Sequence, residues 1–289
     1  MNTSAKQISN PIYEMLFIVF YSCIGFIPNL EAVDKIAPQW LFMGVLNFIV
    51  GLYIFRNISI YSNQFKGFLN SWLTRSYVFF ILWSGFSFFY AINPTEVLVN
   101  FSRQFHVFFM LTNMVLLFSV IPNKARFVST LLVIILAIEV VSVLQQAYEM
   151  LSASGQIKGE LLKGVTANRN ITAFSIAIKT PFVLYLMGRK TQTKSILFLG
   201  VLLTMALVCL SMIQSRASYV AAALVTLMFV GMTFYFYKGH SVSTLIRKLG
   251  LLIVPLALTV VINQTFLAKR GADAVSRAAT ISLSTNDGS

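Results

Sequence analysis

The chain has 289 residues, of which 57% are apolar and 11% are charged, whereas soluble domains are about half apolar and a quarter charged. Together with a mean hydropathy of +0.78, this composition excludes a secreted, disordered or ordinary cytosolic protein. A net charge of +13 would indicate nucleic acid as the partner of a soluble chain. Here the charges lie between apolar runs, so we expect membrane lipids, and no nucleic acid, as partners.

Nine apolar runs approach or exceed the length of about 20 helical residues that a hydrocarbon core requires. They are 12–29, 40–55, 77–92, 97–120, 127–148, 171–187, 196–213, 219–237 and 249–267. This pattern predicts an all-α, polytopic integral membrane protein with about nine transmembrane helices. Residues 1–267 are predicted to form a single transmembrane domain, and residues 268–289, which contain no apolar run, are predicted to begin a periplasmic loop.

The charges between the runs predict the orientation of the spans. Alternate gaps, counted from the amino terminus, contain twelve cations and no acid, whereas the other gaps mix cations with acids. Basic loops stay in the cytoplasm, so the amino terminus is predicted to be cytoplasmic and the carboxyl terminus periplasmic. The twelve cations are Lys6, Arg56, Lys66, Arg75, Lys124, Arg126, Arg189, Lys190, Lys194, Lys238, Arg247 and Lys248.

The fourth run carries a polar face near its outer end. Glu96, Asn100 and Arg103 are spaced so that they share one side of a helix. An ion pair between Glu96 and Arg103 is one interpretation, and phosphate binding by Arg103 at the outer leaflet is the other. His106 is predicted to be a hydrogen-bonded packing residue, and His240 is predicted to lie on the cytoplasmic side. No metal site is predicted, because two separated histidines cannot hold zinc.

Two ionisable residues are predicted to lie at similar depth in neighbouring spans. Glu139 belongs to the fifth run, where Ser142 and Gln146 share its face, and Lys179 belongs to the sixth. An ionisable side chain in lipid costs a few kcal/mol, so we predict a buried Glu139–Lys179 pair that fixes the packing of the two spans. The alternative is that this pair forms a proton or ion relay in a transporter.

The segment before the sixth span combines cations with amides. Lys163 and Arg169 are the cations of segment 163–170, and Asn168 or Asn170 is predicted to cap the helix that follows. A helix start presents partial positive charge to an anion, and an arginine beside it can hold phosphate oxygens through two parallel hydrogen bonds. The simpler interpretation is that the asparagines only cap the helix and Arg169 only meets lipid headgroups.

A second cationic element is the short turn 214–219 between the seventh and eighth runs. Arg216 at an outer turn contradicts the inside-positive preference, which indicates a function for it. Arg103, Lys163, Arg169 and Arg216 are all predicted to lie on the outer face. We therefore predict that they form a cationic cleft suited to a lipid diphosphate.

These two elements give the chain a family resemblance. Gly164, Asn168 and Asn170 stand just before a span, and the run Ser215-Arg216-Ala217-Ser218 follows about two helices later. In this pattern, in the number of spans and in the predicted orientation, the chain resembles the O-antigen ligase and polymerase superfamily of bacterial envelope glycan enzymes.

The resemblance implies a metal-independent, inverting glycosyltransferase without cofactor in the bacterial inner membrane, active at the periplasmic face. The donor would be a glycan on undecaprenyl diphosphate, and the acceptor lipid A–core for a ligase or another lipid-linked repeat for a polymerase. Arg216, and after it Arg169, would be the catalytic residues that bind the diphosphate and offset its growing charge. The predicted substrate-binding residues are Asn168, Asn170, Lys163, Arg103 and Ser215.

The chain also departs from the family pattern. Family members continue into a large periplasmic loop, which in ligases supplies a histidine, and then into further spans. Since Ser289 falls where that loop begins, we expect the chain to be the amino-terminal part of such a protein and to bind donor lipid without turnover. A lipid-glycan transporter or flippase, and a structural membrane protein without substrate, are the remaining alternatives.

Overall fold

The structure is a computed structural model that describes residues 11–28, 30–34, 36–166, 168–189, 192–236 and 242–271. For residues 216–218, 233, 236 and 242–248 it describes the backbone alone. The chain divides into two compact units, Met1–Lys124 and Ala125–Ser289. The single transmembrane domain predicted for residues 1–267 stays a prediction.

The part of the chain that the structure describes is helical and contains no β-strand. Ten α-helices follow one another along it. They are α1 (Ile12–Cys23), α2 (Ala37–Arg56), α3 (Ile58–Asn70), α4 (Trp72–Phe86), α5 (Pro94–Val120), α6 (Lys124–Ser154), α7 (Arg169–Arg189), α8 (Thr193–Ile213), α9 (Arg216–Phe236) and α10 (Val242–Ile262). One turn of π-helix, Asn263–Leu267, continues α10.

Six described segments are helical, long and apolar enough to cross a membrane. They are Ala37–Arg56, Pro94–Val120, Lys124–Ser154, Arg169–Arg189, Thr193–Ile213 and Leu249–Arg270. The all-α prediction is thereby confirmed for the described residues, and the six long apolar helices support a multi-pass membrane protein. Two further apolar helical segments, Ile12–Phe26 and Tyr219–Met232, are shorter, so the count of nine spans stays a prediction, as does the orientation of the termini.

Helix α3 falls in a segment that the apolar runs leave as a loop. Its sequence is amphipathic: it buries Tyr61 completely and places the ring of Phe68 6.2 Å from that of Phe108 on α5, while Asn63 and Lys66 are exposed. A helix with one apolar stripe forms by packing that stripe on a neighbour. It therefore needs no membrane-length apolar run.

In the first unit α5 is the central helix, and α1, α2, α3 and α4 all pack against it. Buried polar side chains tie three of these helices together. The hydroxyl of Tyr21 donates to Asn47 Oδ1 at 2.8 Å, and the amide of Asn113 donates to the Tyr21 oxygen at 2.9 Å. Asn47 in turn donates to the backbone oxygen of His106 at 2.9 Å. These bonds satisfy polar groups that burial would otherwise penalise.

A buried carboxylate joins α1, α2 and α3 elsewhere in the first unit. Glu14 has no solvent exposure, and its Oε1 accepts hydrogen bonds from the hydroxyls of Tyr53 and Tyr61, each at 2.8 Å. Burial, and then the hydrogen bond to Glu14, raise the pKa of Tyr61. The Tyr61 hydroxyl therefore remains a neutral donor.

In the second unit α7 is the central helix and packs against α8, α9 and α10. Small side chains make close packing possible, since Ala173, Ala177 and Ala206 are all fully buried in the core. Helix α6 joins this core through Val140 and Val143, and the thiol of Cys209 on α8 lies 3.8 Å from the Val140 carbonyl oxygen. This core supports the loop and the helix ends that form the candidate site.

Candidate functional site

The loop between α6 and α7, described over residues 155–166 and 168, packs across one end of the second unit. Its Ile157 N–H donates to the carbonyl oxygen of Arg270 at 2.7 Å. A Cβ on Gly159 would lie 2.5 Å from the Met212 carbonyl oxygen, so only glycine fits against the end of α8. Gln214 donates from Nε2 to the Gly271 carbonyl oxygen at 3.3 Å. The loop is therefore fixed to the ends of α8 and of the α10 segment.

Gln146 on α6 holds the loop at Lys163 and Gly164. Its Oε1 accepts from the backbone N–H groups of both residues, at 3.1 and 3.0 Å, and its Nε2 donates to the Gly164 carbonyl oxygen at 3.2 Å. Gly164 has φ +55°, and a Cβ there would lie 2.7 Å from Thr172 Cγ2. Both the left-handed backbone and the close contact require glycine at this position.

Asn168 caps helix α7. Its Oδ1 accepts from the backbone N–H groups of Asn170 at 2.9 Å and Ile171 at 3.4 Å. Thr166 supports the same turn, because its hydroxyl donates to the Asn168 carbonyl oxygen and lies 2.7 Å from the hydroxyl of Thr172. The Asn168 side-chain oxygen is therefore occupied by the backbone, and the start of α7 is held rigidly.

The two elements that carry the family resemblance meet in the structure. Ser215 Oγ donates to Asn170 Oδ1 at 3.1 Å, although the two residues are 45 positions apart. Ser215 is buried and immediately precedes α9, while Asn170 lies in the first turn of α7. Arg169 and Arg216 are the first residues of these two helices. The side chain of Arg216 lies outside the described part of the structure.

Cations lie on the segments that pack at this end of the second unit. Lys158, Lys163, Lys269 and Arg270 are exposed and Arg169 is half-buried, and within the described parts of the chain none of the five forms an ion pair. Helix starts add partial positive charge. This end of the second unit therefore favours an anion that brings several oxygen acceptors. Arg103 belongs to the first unit, so its convergence with these cations stays a prediction.

Glu139 and Lys179 form a buried ion pair in the second unit. Lys179 Nζ lies 3.0 Å from Glu139 Oε1 and 2.9 Å from Oε2, and it also contacts Ser175 Oγ and donates to the Ser175 carbonyl oxygen at 3.1 Å. The Ser175 hydroxyl donates to Glu139 Oε1 at 2.7 Å. Both charged groups are thus fully hydrogen-bonded, which is the arrangement that makes a buried pair tolerable.

Arg103 pairs with a residue outside its own helix. Its Nη2 lies 2.6 Å from Asp34 Oδ2, and its guanidinium carbon lies 5.7 Å from the ring centre of Trp40. Of the two interpretations of Arg103, the ion pair with Glu96 is therefore not observed, and Asp34 takes the place of Glu96. The segment before α2 places the Asp34 carboxylate within bonding distance of the Arg103 guanidinium.

Of the two histidines, the structure describes only His106. His106 packs against Gly44, where a Cβ would lie 3.1 Å from the ring. Its Nδ1 is buried and has no hydrogen-bond partner within the described ranges. The packing role predicted for His106 is observed, whereas its side-chain hydrogen bond stays a prediction. His240 lies outside the described residues.

Sequence reasoning missed two residues that shape these regions. The sequence pattern places Gln146 only on the helical face of Glu139. In the structure Gln146 also holds the loop at Gly164. Glu14 lies inside the first apolar run, and the apolar run length alone predicts no role for it. An acid within an apolar run is the signal that could have identified it.

No protein-family model, curated protein or solved structure matches this chain.

Proposed function

We propose that this chain belongs to a membrane glycosyltransferase that moves a glycan from undecaprenyl diphosphate to lipid A–core or another acceptor at the periplasmic face of the bacterial inner membrane. One observation carries the proposal: the Ser215–Asn170 hydrogen bond joins two helix starts, and each of these helices begins with an arginine. Two helix starts with guanidinium groups suit a diphosphate, which carries several acceptor oxygens and charges.

The chemistry follows from the charge that develops on the donor. An acceptor hydroxyl attacks the anomeric carbon from the face opposite the carrier, gives up its proton to a base, and inverts the configuration. The bond between the sugar and the diphosphate oxygen breaks, and its electron pair leaves with undecaprenyl diphosphate. Arg169 and Arg216 stabilise that leaving group, because guanidinium hydrogen bonds strengthen as negative charge grows on the diphosphate.

The surrounding residues hold this geometry. Asn168 caps α7 and Gln146 fixes the loop at Gly164, so Arg169 projects from a rigid turn. The amides of Asn168 and Asn170 are exposed and supply donors to sugar hydroxyls. A ligase and a polymerase share this donor site and differ in acceptor, so the polymerase is the alternative within the same proposal.

The test is glycan transfer by the protein that carries this chain, with lipid A–core or a lipid-linked repeat as acceptor. Arg169→Ala and Arg216→Ala are each expected to abolish transfer while membrane insertion is unchanged. Arg189→Ala is the matched control, because Arg189 ends the same helix that Arg169 begins and bonds only to Tyr185 within the described chain. Full transfer by both site variants would refute the proposal.

A lipid-glycan transporter is the second candidate, and the observation that favours it is the buried Glu139–Lys179 pair within the helices α6 and α7. A relay would need these groups to exchange protons or ions during transport. Glu139→Gln would then stop transport of a lipid-linked glycan across a proteoliposome membrane. The complete hydrogen bonding of the pair favours a structural role instead, so we rank the transporter below the glycosyltransferase.

A further inference from the structure

A long apolar groove runs between α2 and α5 in the first unit. It encloses about 530 Å³. Gly44, Asn47 and Gly51 line it on the α2 side, and His106, Phe109 and Leu116 line it on the α5 side. Gly51 creates much of this space, since a Cβ added to it would meet no atom within 4 Å.

The groove has the length of one lipid chain. Its α2 wall extends from Gly44 to Phe55, and eleven residues of helix rise about 16 Å. That length is about half the hydrocarbon thickness of a bilayer, which is ~30 Å. The groove thus matches the depth of a single leaflet.

A second cavity of about 450 Å³ adjoins the groove, because His106 lines both of them. This cavity is polar at one side, where Asp34, Ser102 and Arg103 line it, and Trp40 lies beside them. Tryptophan is enriched where a membrane protein meets the headgroup region. The two cavities share the wall that His106 forms, with charged residues lining one of them and mainly apolar residues lining the other; we refer to them together as the path.

The charged end carries one charge of each sign. The side chains of Arg103 and Asp34 pair at 2.6 Å, yet they keep 31% and 47% of their exposure. An exposed ion pair contributes about 0–1 kcal/mol, so a headgroup can replace it at little cost. A headgroup with both a phosphate and an ammonium group is complementary to both partners, whereas a purely anionic headgroup would set its phosphate beside the Asp34 carboxylate.

We propose that this path binds a phospholipid whose headgroup carries a phosphate and a primary ammonium group, as in phosphatidylethanolamine. Arg103 binds the phosphate, Asp34 binds the ammonium group, and one acyl chain fills the groove beside Gly51. This site lies wholly within the first unit and does not depend on the proposed glycosyltransferase activity.

The experiment is native mass spectrometry of the full chain, released from detergent and titrated with phosphatidylethanolamine, phosphatidylcholine or phosphatidylglycerol of identical acyl chains. Phosphatidylethanolamine is expected to bind at least about tenfold more tightly than either other lipid. Gly51→Leu should weaken its binding by about tenfold or more, because the added side chain fills the groove. Gly67→Leu is the matched control: a Cβ there also meets nothing, but Gly67 lines neither cavity.

The headgroup half of the proposal has its own variants. Asp34→Asn should reduce the preference for phosphatidylethanolamine over phosphatidylcholine, because only the ammonium groups of these lipids differ. Arg103→Gln should weaken the binding of both lipids, because both carry the phosphate that Arg103 binds. Equal binding of the three lipids by the unmodified chain, or tightest binding of phosphatidylglycerol, would overturn the proposal. Unchanged binding by Gly51→Leu would overturn it as well; a Cβ at this position meets no atom within 4 Å, so we expect the variant to fold.

Discussion

Ser215 donates a hydrogen bond to the side-chain oxygen of Asn170 at 3.1 Å, and this bond joins the residue before α9 to the first turn of α7. The two residues come from segments that are far apart in the sequence. Asn168 caps the same turn of α7. Asn168 therefore stabilises the start of its own helix, whereas Asn170 bonds to the residue before α9.

This contact should be measurable as a coupling between the two positions. In a double-mutant cycle of Asn170→Ala and Ser215→Ala, the interaction free energy for unfolding is expected to be about 0.5–1.5 kcal/mol, the usual net value of one hydrogen bond. Ser195→Ala, at the opposite end of α8, should be additive with Asn170→Ala. A cycle at 170 and 215 that is equally additive would show that the bond contributes nothing.

Removing one member of the buried ion pair should destabilise the second unit. Lys179→Met leaves the Glu139 carboxylate buried without a cation, which costs about 3–5 kcal/mol. The double variant Glu139→Leu with Lys179→Met should regain most of that loss, because no buried charge remains. Unfolding by denaturant in detergent micelles measures both values. Equal stability of the single variant and the unmodified chain would contradict a structural role for the pair.

Gly164 should not tolerate a side chain. Gly164→Ala places a Cβ 2.7 Å from Thr172 Cγ2 in a backbone with φ +55°, so we expect a loss of about 1–3 kcal/mol in unfolding free energy. Gly231→Ala, where a Cβ meets nothing within 4 Å, should instead be neutral or stabilising, since alanine favours a helix over glycine. Similar effects of the two substitutions would argue against the close packing at Gly164.

Glu14 should stabilise the first unit through its acceptor oxygen. Glu14→Ala leaves the hydroxyls of Tyr53 and Tyr61 without their acceptor, and each buried unpaired group costs about 1–3 kcal/mol. Glu14→Gln keeps a side-chain oxygen and should lose less. Thermal unfolding of the two variants gives the comparison, and equal losses would show that the hydrogen bonds from the tyrosines are not what Glu14 contributes.

Apolar run lengths predicted the helical membrane architecture well, because a membrane-crossing helix must be apolar along its whole length. The same rule missed α3, which has an apolar stripe only and buries Tyr61 against its neighbours. The short third run predicted its helix less well: α4 has 15 residues, and one turn of 3-10 helix, Ser87–Phe89, follows it before Pro94 begins α5. Stripe periodicity, and not run length, is the signal for such helices.

Partner choice was predictable in part. The similar predicted depth of Glu139 and Lys179 on consecutive helices predicts that they pair, and the structure places them in contact. The same approach failed for Arg103, whose partner Asp34 lies in the segment before α2. Spacing along one helix ranks only near neighbours, and it carries no information on which distant segment folds against that helix. The meeting of Asn170 and Ser215 likewise depends on how α7 and α9 pack.

The central claim is that the starts of α7 and α9 hold a polyprenyl diphosphate. Its most direct test is the equilibrium binding of undecaprenyl diphosphate to the purified protein in lipid nanodiscs. We expect the variant carrying both Arg169→Ala and Arg216→Ala to bind undecaprenyl diphosphate at least about tenfold more weakly. Arg189→Ala should bind it as tightly as the unmodified chain does. Unchanged affinity in the double variant would contradict the claim.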